Sequence, residues 1–592
     1  MRNFLIGTAL ALSFAAPILA QEQTLVAPAD DANGALKSLV DEYWADILKS
    51  QPIFASSLGI DTYANEVGDS TLESMDRQAA TASGFLTKLR RIVPADLSAA
   101  NKVEYGIFER ELKNTIDANS FGQRTINFST YSSWHQNMAS MANNLPFKSA
   151  ADYKSYINRI KQFGRVNDEN IAVADAAIKG GFTLPCVSLN GFEKTITGLI
   201  TADPKASRFY EPFTRPHPET IEAAEFAGFS AEAANIIDSI IKPALQKELA
   251  WYTASYKPKC AKEPGVSAQP NGAAYYDYRI RNQTTTTLTA DEIHQIGLSE
   301  VSRIRGEMVE VAKAAGYPSR EAFIQHLRTD PQYFAKTPEE LMEKVARATK
   351  IIDGKMPSLF RRLPRLPYGI KEIPAEIAEG TTTAYYNPGS PDVGIAGNYY
   401  VNTSKLGQRP FWEIPALSLH EAVPGHHHQI SLQQELPLSD FRKNGAFFTA
   451  FVEGWGLYSE RLGIEMGLYD TPAKNMGRLS YEMWRACRLV VDTGIHAKGW
   501  PKEKAIAFMK DNTALTEANI EAEVNRYISW PGQALAYKLG ELKIRELRSY
   551  ASKELGAKFE LAAFHDVVLG QGAVPLDVLD AQVKDWVAKE RE

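Results

Sequence analysis

Cysteine is scarce in this chain, with three residues in 592: Cys186, Cys260 and Cys487. Their spacing is neither that of a zinc ribbon nor a C-x-x-C, which removes cysteine-ligated metal and dithiol redox chemistry. Apolar runs long enough to span a bilayer are missing after the first twenty residues, so no membrane span is expected once that segment is removed. No basic stripe occurs and the formal charge is only -6, so nucleic acid is not an expected partner. Internal repeats and low-complexity tracts are absent apart from a short "TTTT" ending at Thr287. The composition is that of a globular protein, and disorder, collagen and coiled coil are poor descriptions of it. A G-x-S-x-G elbow is also lacking, which leaves a serine hydrolase without its nucleophile motif.

What is present begins with "MRNFLIGTALALSFAAPILA", a basic start, an apolar run and small residues leading to Ala20. This pattern predicts a secretory signal peptide over residues 1–20, followed by one large unit over 21–592. No cysteine stands at the cleavage point, which argues against a lipid anchor. Export into the periplasm is expected if the source is Gram-negative, and into the medium otherwise. That compartment permits a disulfide, and Cys186 with Cys260 is the natural pair, while Cys487 in "MWRACRLVV" reads as core.

Most of the chain reads as helix. "NGALKSLVDEYWADILKSQP" and "TLTADEIHQIGLSEVSRIRGEMVEVAKAAG" carry apolar residues at three/four spacing, and the second opens on a capping-box pattern, Thr289 to Glu292. A Pro-, Gly- and Lys-rich stretch, "YKPKCAKEPGVSAQPNGAAYY", predicts a join between an N-terminal helical half (about 21–262) and a C-terminal half (about 273–592). "GTTTAYYNPGSPDVGIAGNYYVNTS" mixes β-branched and aromatic residues with turn signals and predicts a small antiparallel sheet. Its Tyr385, Tyr386 and Asn398 are candidates for substrate contact. The expected fold class is mainly α, a large helical bundle with that sheet next to the histidine-rich segment.

That segment is "LHEAVPGHHHQ", Leu419 to Gln429. A helical H-E-x-x-H presents two histidines one turn apart beside a glutamate that activates water. Here Pro424 stands where the second histidine belongs. On a regular helix His420 and His426 would lie about 9 Å apart along the axis. Ligand nitrogens around one zinc lie within about 4 Å of each other, so a regular helix fails. Pro424 breaks the helix and Gly425 opens backbone angles closed to other residues. If these two residues bulge outward, His426 falls into the second ligand position. His427, seven residues after His420, competes for it or else supports the site from behind. A zinc site of this kind needs a third protein ligand and an open position. Glu453, set among Phe447, Phe448, Phe451 and Trp455, supplies the carboxylate, with a salt bridge to Arg488 as its alternative. Glu460 is placed to support a ligand histidine. The expected metal is one Zn2+ per chain, with Glu421 as the base.

"HEAVPGH", "FVEGWGLYSE", "RLVVDTGIHAKGW" and "RYISWPGQALAYKLG" resemble the bacterial family called domain of unknown function 885, most densely from about Tyr385 to Gly540. That family is similar in turn to helical zinc peptidases of the thimet oligopeptidase and angiotensin-converting enzyme type. The resemblance implies a helical fold with a deep central cleft, activity on short peptides, and an oxyanion donor from a C-terminal segment. Tyr527 is the expected donor, with Tyr537 nearby and Arg526 placed to pair with a substrate carboxylate. Asp492 and His496, four apart on one helical face, form a second candidate pair in which the aspartate orients the histidine. The function expected is thus an exported zinc-dependent carboxypeptidase, dipeptidase or oligopeptidase. A metal-dependent amidase or esterase, or a peptide-binding relative without metal, is the alternative.

Overall fold

The structure, a computed structural model, describes residues 29–378, 382–392 and 394–592. The expected signal peptide lies outside the described residues. Helices dominate the rest, as the three/four spacing of apolar residues dictates. The capping box at Thr289 forms: its hydroxyl accepts from the Glu292 amide, and the Glu292 carboxylate accepts from the Thr289 amide. It opens α1 (Ala290–Ala314). Six further helices carry the site: α2 (Ile414–Glu421), α3 (His426–Glu435), α4 (Thr449–Leu462), α5 (Pro472–His496), α6 (Glu517–Ser529) and α7 (Ala536–Leu555).

Helix α5 is the axis of the molecule, buried at every position from Met476 to His496. Its charged side chains therefore need partners inside the protein. Lys538 on α7, fully buried, donates to Glu482 on α5 at 3.0 Å and to Glu541 at 2.8 Å, and stands 3.0 Å from Glu300 on α1. One ammonium thus ties three helices, and α1, α5 and α7 are fixed relative to one another. Helices α4 and α7 cross with their backbones nearly touching. A Cβ on Gly540 would fall 1.9 Å from the Ala450 carbonyl oxygen, so only glycine fits there.

Three strands form the sheet among the described residues: β1 (Tyr368–Glu372), β2 (Ala384–Asn387) and β3 (Gly397–Val401), in the order β1-β3-β2. β2 and β3 are antiparallel, with Tyr385 opposite Tyr400 and Asn387 opposite Asn398. β1 runs parallel to β3, so the sheet is mixed and not antiparallel throughout. The physical reason is the connection: a parallel pair needs a crossover, and here the segment that includes β2 supplies it. The sheet does lie against the histidine-rich segment, as expected.

The hydrophobic core does not follow the division into halves. One cluster joins Ala32–Leu112 side chains to others between Ile352 and Val587, so the first helices pack on the last. The Pro- and Gly-rich join is itself pinned. Cys260 is bonded to Cys186, and the Val266 amide donates to His496 Nδ1 at 3.1 Å. Cys487 is buried and free, as its apolar surroundings predict. No helix among the described residues is long and apolar enough to cross a membrane.

Candidate metal centre

Helix α2 ends at Glu421, and α3 begins at His426. Between them the chain leaves helical geometry at Ala422, and the ladder resumes with the His427 amide on the Ala422 carbonyl, 3.1 Å, one residue longer than an α-helical turn. Gly425 presses on the helix it follows: a Cβ there would lie 1.9 Å from the His420 carbonyl oxygen. Trp455 on α4 holds the turn by donating its indole N–H to the Pro424 carbonyl at 2.7 Å. The helix is thus interrupted between Ala422 and Gly425, with Pro424 and Gly425 buried and not bulged outward, and the His420 and His426 rings come to 4.6 Å between centroids at 86°.

Glu453, the candidate for a third ligand, stands beside the two rings. Glu453 Oε2 stands 3.4 Å from His420 Nε2 and 3.4 Å from His426 Nε2. These are long for charge-assisted hydrogen bonds, which fall near 2.7–2.9 Å. They match the edge of a tetrahedron, since donors about 2.0–2.1 Å from one zinc lie roughly 3.3–3.4 Å apart. Glu453 Oε2 and His426 Nδ1 are buried without a hydrogen-bond partner. One ligand atom from each of His420, His426 and Glu453 lies within 4.8 Å of the others. This donor set, two imidazoles and a carboxylate, fits zinc. Small exposures of the His426 and Glu453 side chains, 11% and 15%, give the site its contact with solvent.

The surroundings hold the set in place. His420 Nδ1 bonds Glu460 Oε1 at 2.8 Å, which leaves Nε2 for the metal, and Arg485 stands 3.2 Å from the same carboxylate oxygen. Glu460 thus holds the ring of His420, a candidate ligand. Burial opposes a charge on His420, but the Glu453, Glu460 and Glu421 carboxylates overrule it and hold its pKa up at about 9. Burial likewise works against the Glu453 carboxylate, while the His426 and His420 imidazoles hold it well below the usual range. Three carboxylates around two imidazoles favour a cation at their centre.

His427 is not a ligand alternative. Its Nε2 bonds the Leu366 carbonyl at 3.0 Å, and its Nδ1 meets the Tyr386 hydroxyl at 3.0 Å and Ser431 at 3.2 Å. Burial pushes its pKa down to about 4, so it is a neutral strut between α3 and the sheet and touches no metal ligand through these bonds. Tyr386 is spent on that strut. Asn398 donates to the Ala396 carbonyl just before its strand at 2.8 Å, and Tyr385 stacks on Tyr400 at 4.9 Å, half-buried on the other face.

The expected Asp492–His496 pair is not formed. Asp492 accepts from the Tyr276 hydroxyl at 2.6 Å and from the Gly532 amide at 3.1 Å, and burial pushes its carboxyl up to about 7. His496 accepts the Val266 amide on Nδ1 and donates from Nε2 to the Tyr527 carbonyl at 2.9 Å. Buried and held down at about 4, it has both nitrogens committed to the backbone and none for a reaction. One helical face put the two residues on the same side of α5, but each found a nearer partner on another element.

Tyr527 also lies deeper than expected. Its hydroxyl accepts from Trp484 at 2.8 Å and Arg488 at 3.0 Å. Tyr537 instead lies beside His420, its ring 6.3 Å from the imidazole and nearly parallel at 17°. Arg488 pairs with Glu523 at 3.0 Å and not with Glu453. The sequence reading passed over Arg485 as a support for Glu460. Its signal was legible in "MWRACRLVV": two arginines inside an apolar helix must each find a buried acceptor.

A family model described as "Bacterial protein of unknown function (DUF885)" matches residues 52–583. Among curated proteins none matches. The fold is similar to that of a candidate lipoprotein from Colwellia psychrerythraea, at 28% identity and a TM-score of 0.89, covering 94% of this chain and 100% of that one. A candidate lipoprotein of unknown function from Shewanella oneidensis shares the fold at 18% identity and a TM-score of 0.69, with 92% and 99% covered.

Proposed function

The chain belongs to the DUF885 family, whose description assigns no activity, and from that premise we propose that it is an exported zinc-dependent peptidase acting on short peptides. The observation that carries the reading is the pair of 3.4 Å separations from Glu453 Oε2 to His420 and His426, long for charge-assisted hydrogen bonds and right for neighbours on a zinc tetrahedron.

Bound by His420, His426 and Glu453, zinc would supply Lewis acidity toward a water and a scissile carbonyl. The chain's own groups do the rest. Glu421 follows His420 at the end of α2, buried but for 7% of its surface. In this reading it takes a proton from the attacking water and passes it to the leaving amine. Tyr537 is the better placed oxyanion donor. Gln533 donates to its hydroxyl oxygen at a long 3.5 Å, which leaves the hydroxyl hydrogen for substrate. Glu460 and Arg485 keep His420 turned so that Nε2 meets the metal.

Export is part of the proposal. Residues 1–20 have the pattern of a leader, the Cys186–Cys260 bond suits an oxidising compartment, and the two similar structures are of candidate lipoproteins.

Metal analysis beside peptide cleavage tests the reading. About one zinc per chain is expected, and Glu421→Gln should keep the zinc and lose at least about 100-fold in turnover. A metal-free protein that cleaves peptides would sink the scheme, and a Glu421→Gln variant as active as wild type would remove Glu421 as the base.

A further inference from the structure

Against the Tyr537 ring, which also stands near His420, lies a group of buried charges that do not balance. Arg488 on α5 and Arg526 on α6 both bind the same oxygen of Glu523, each at 3.0 Å. Two guanidinium groups thus share one carboxylate. Arg488 Nη1 and Arg526 Nε are buried without an acceptor. Arg488 is only 2% exposed and is boxed by aromatic faces, with its Cζ 4.4 Å from the Trp484 ring and 4.2 Å from the Tyr537 ring. An unmatched buried guanidinium is costly, and proteins keep one where an anion arrives to complete it.

Its position says which anion. The Tyr537 ring is 4.2 Å from Arg488 Cζ and 6.3 Å from the His420 ring, so the guanidinium lies no more than 10.5 Å from a metal ligand. An extended peptide advances about 3.3–3.6 Å per residue. A chain whose scissile carbonyl sits at the metal therefore reaches the arginines after one or two residues. The Arg526 side chain, 15% exposed, forms the solvent side of the pair.

We infer that Arg488 and Arg526 receive the terminal carboxylate of the substrate, so that the enzyme is an exopeptidase removing one or two residues from the C-terminus. This deepens the peptidase reading and rests on it. Guanidinium groups suit the task because their planar donors match a carboxylate. Glu523 positions both arginines and lowers the cost of keeping them buried in the absence of substrate.

The test compares a short peptide with its C-terminal amide, the same sequence without the terminal charge. Wild-type enzyme should cleave the free acid at least about tenfold more efficiently, the effect of one charge-assisted contact. Arg488→Gln and Arg526→Gln should each lower kcat/KM for the acid more than for the amide, so that the acid-to-amide ratio falls toward one. Binding of both peptides to Glu421→Gln, measured by calorimetry, gives a readout without turnover. Acid and amide cleaved and bound alike by the wild-type chain would overturn the inference, even if Arg488→Gln fails to fold. Acid bound in preference while neither peptide is cleaved would instead keep the receptor and sink the peptidase.

Discussion

At the scale of single residues, the histidine run shows how neighbours with one side chain type take different roles. His426 presents Nε2 to Glu453, whereas His427 is turned to the sheet and His428 is packed against Phe360 at 4.8 Å. Burial pushes His428 down to about 3, the value of a core imidazole that stays neutral. The run is thus one candidate ligand, one strut and one core residue. Zinc content separates the first two. His426→Ala should hold well under one zinc per chain after dialysis, while His427→Ala should keep the full equivalent and lose stability instead. Equal zinc in both variants would mean that neither ring is an essential ligand. Much of the ligand set was legible because charge burial is a strong rule: Glu453 among Phe451, Val452 and Trp455 had to be compensated. The choice between His426 and His427 was not legible, since it depends on how far the chain between Ala422 and His426 travels.

At the scale of elements, the site is made where helices meet. Helix α2 brings His420 and Glu421, α3 brings His426, α4 brings Glu453 and Glu460, and α7 brings Tyr537. The α4–α7 crossing sets the last of these, and it depends on Gly454 and Gly540, whose backbones are in contact. Gly540→Ala would drive a methyl group into the Ala450 carbonyl oxygen. We expect a loss of about 1–3 kcal/mol or more in denaturant unfolding, with a fall in kcat because Tyr537 moves with α7. Gly306→Ala on α1, where a Cβ meets nothing within 4 Å, is the control and should be neutral or slightly stabilising. A Gly540→Ala protein as stable and active as the control would show that the crossing is not tight. The paired glycines stand in "EGWG" and "YKLGE", but spacing within one helix says nothing of which other helix it will touch.

At the scale of the whole molecule, the first helices close over the last, and the titratable groups enclosed in this way set the response to acid. His427, His428, His496 and His565 are buried and held neutral, with values of about 4, 3, 4 and 3. Their folded values lie below the roughly 6.5 of an unfolded histidine. The stability they contribute is therefore complete above about 6.5 and is lost as pH falls toward 3–4. Glu111, Glu413 and Asp492, which burial pushes up to about 7, act the other way. Their contribution is complete below the roughly 4 of an exposed carboxyl and declines as pH rises toward 7. Between about 4.5 and 6.5 the two sets oppose each other, and below that the histidines are joined by carboxylates held under their usual range, such as Glu300 and Glu523, beside their arginine and lysine partners. Urea midpoints should change little from pH 6.5 to 4.5 and then fall steeply. A midpoint that collapses between pH 7 and 6 would contradict this account.

The sequence by itself determined what local rules and charge burial can fix: a mainly helical chain, the capping box at Thr289, the break at Pro424 and Gly425, and His420 and Glu453 as candidates for one buried cluster. It also pointed to the Cys186–Cys260 bond. Only the tertiary structure decided the partners of groups whose choice is made between elements. Asp492 went to Tyr276 and the Gly532 amide, His496 to two backbone groups, and β1 ran parallel to β3. Tyr537 took the place beside His420 that Tyr527 was expected to hold. Periodicity assigns a residue to a face, but a hydrogen bond goes to whichever acceptor packing brings within about 3 Å, and that distance is set by helices far away in the chain.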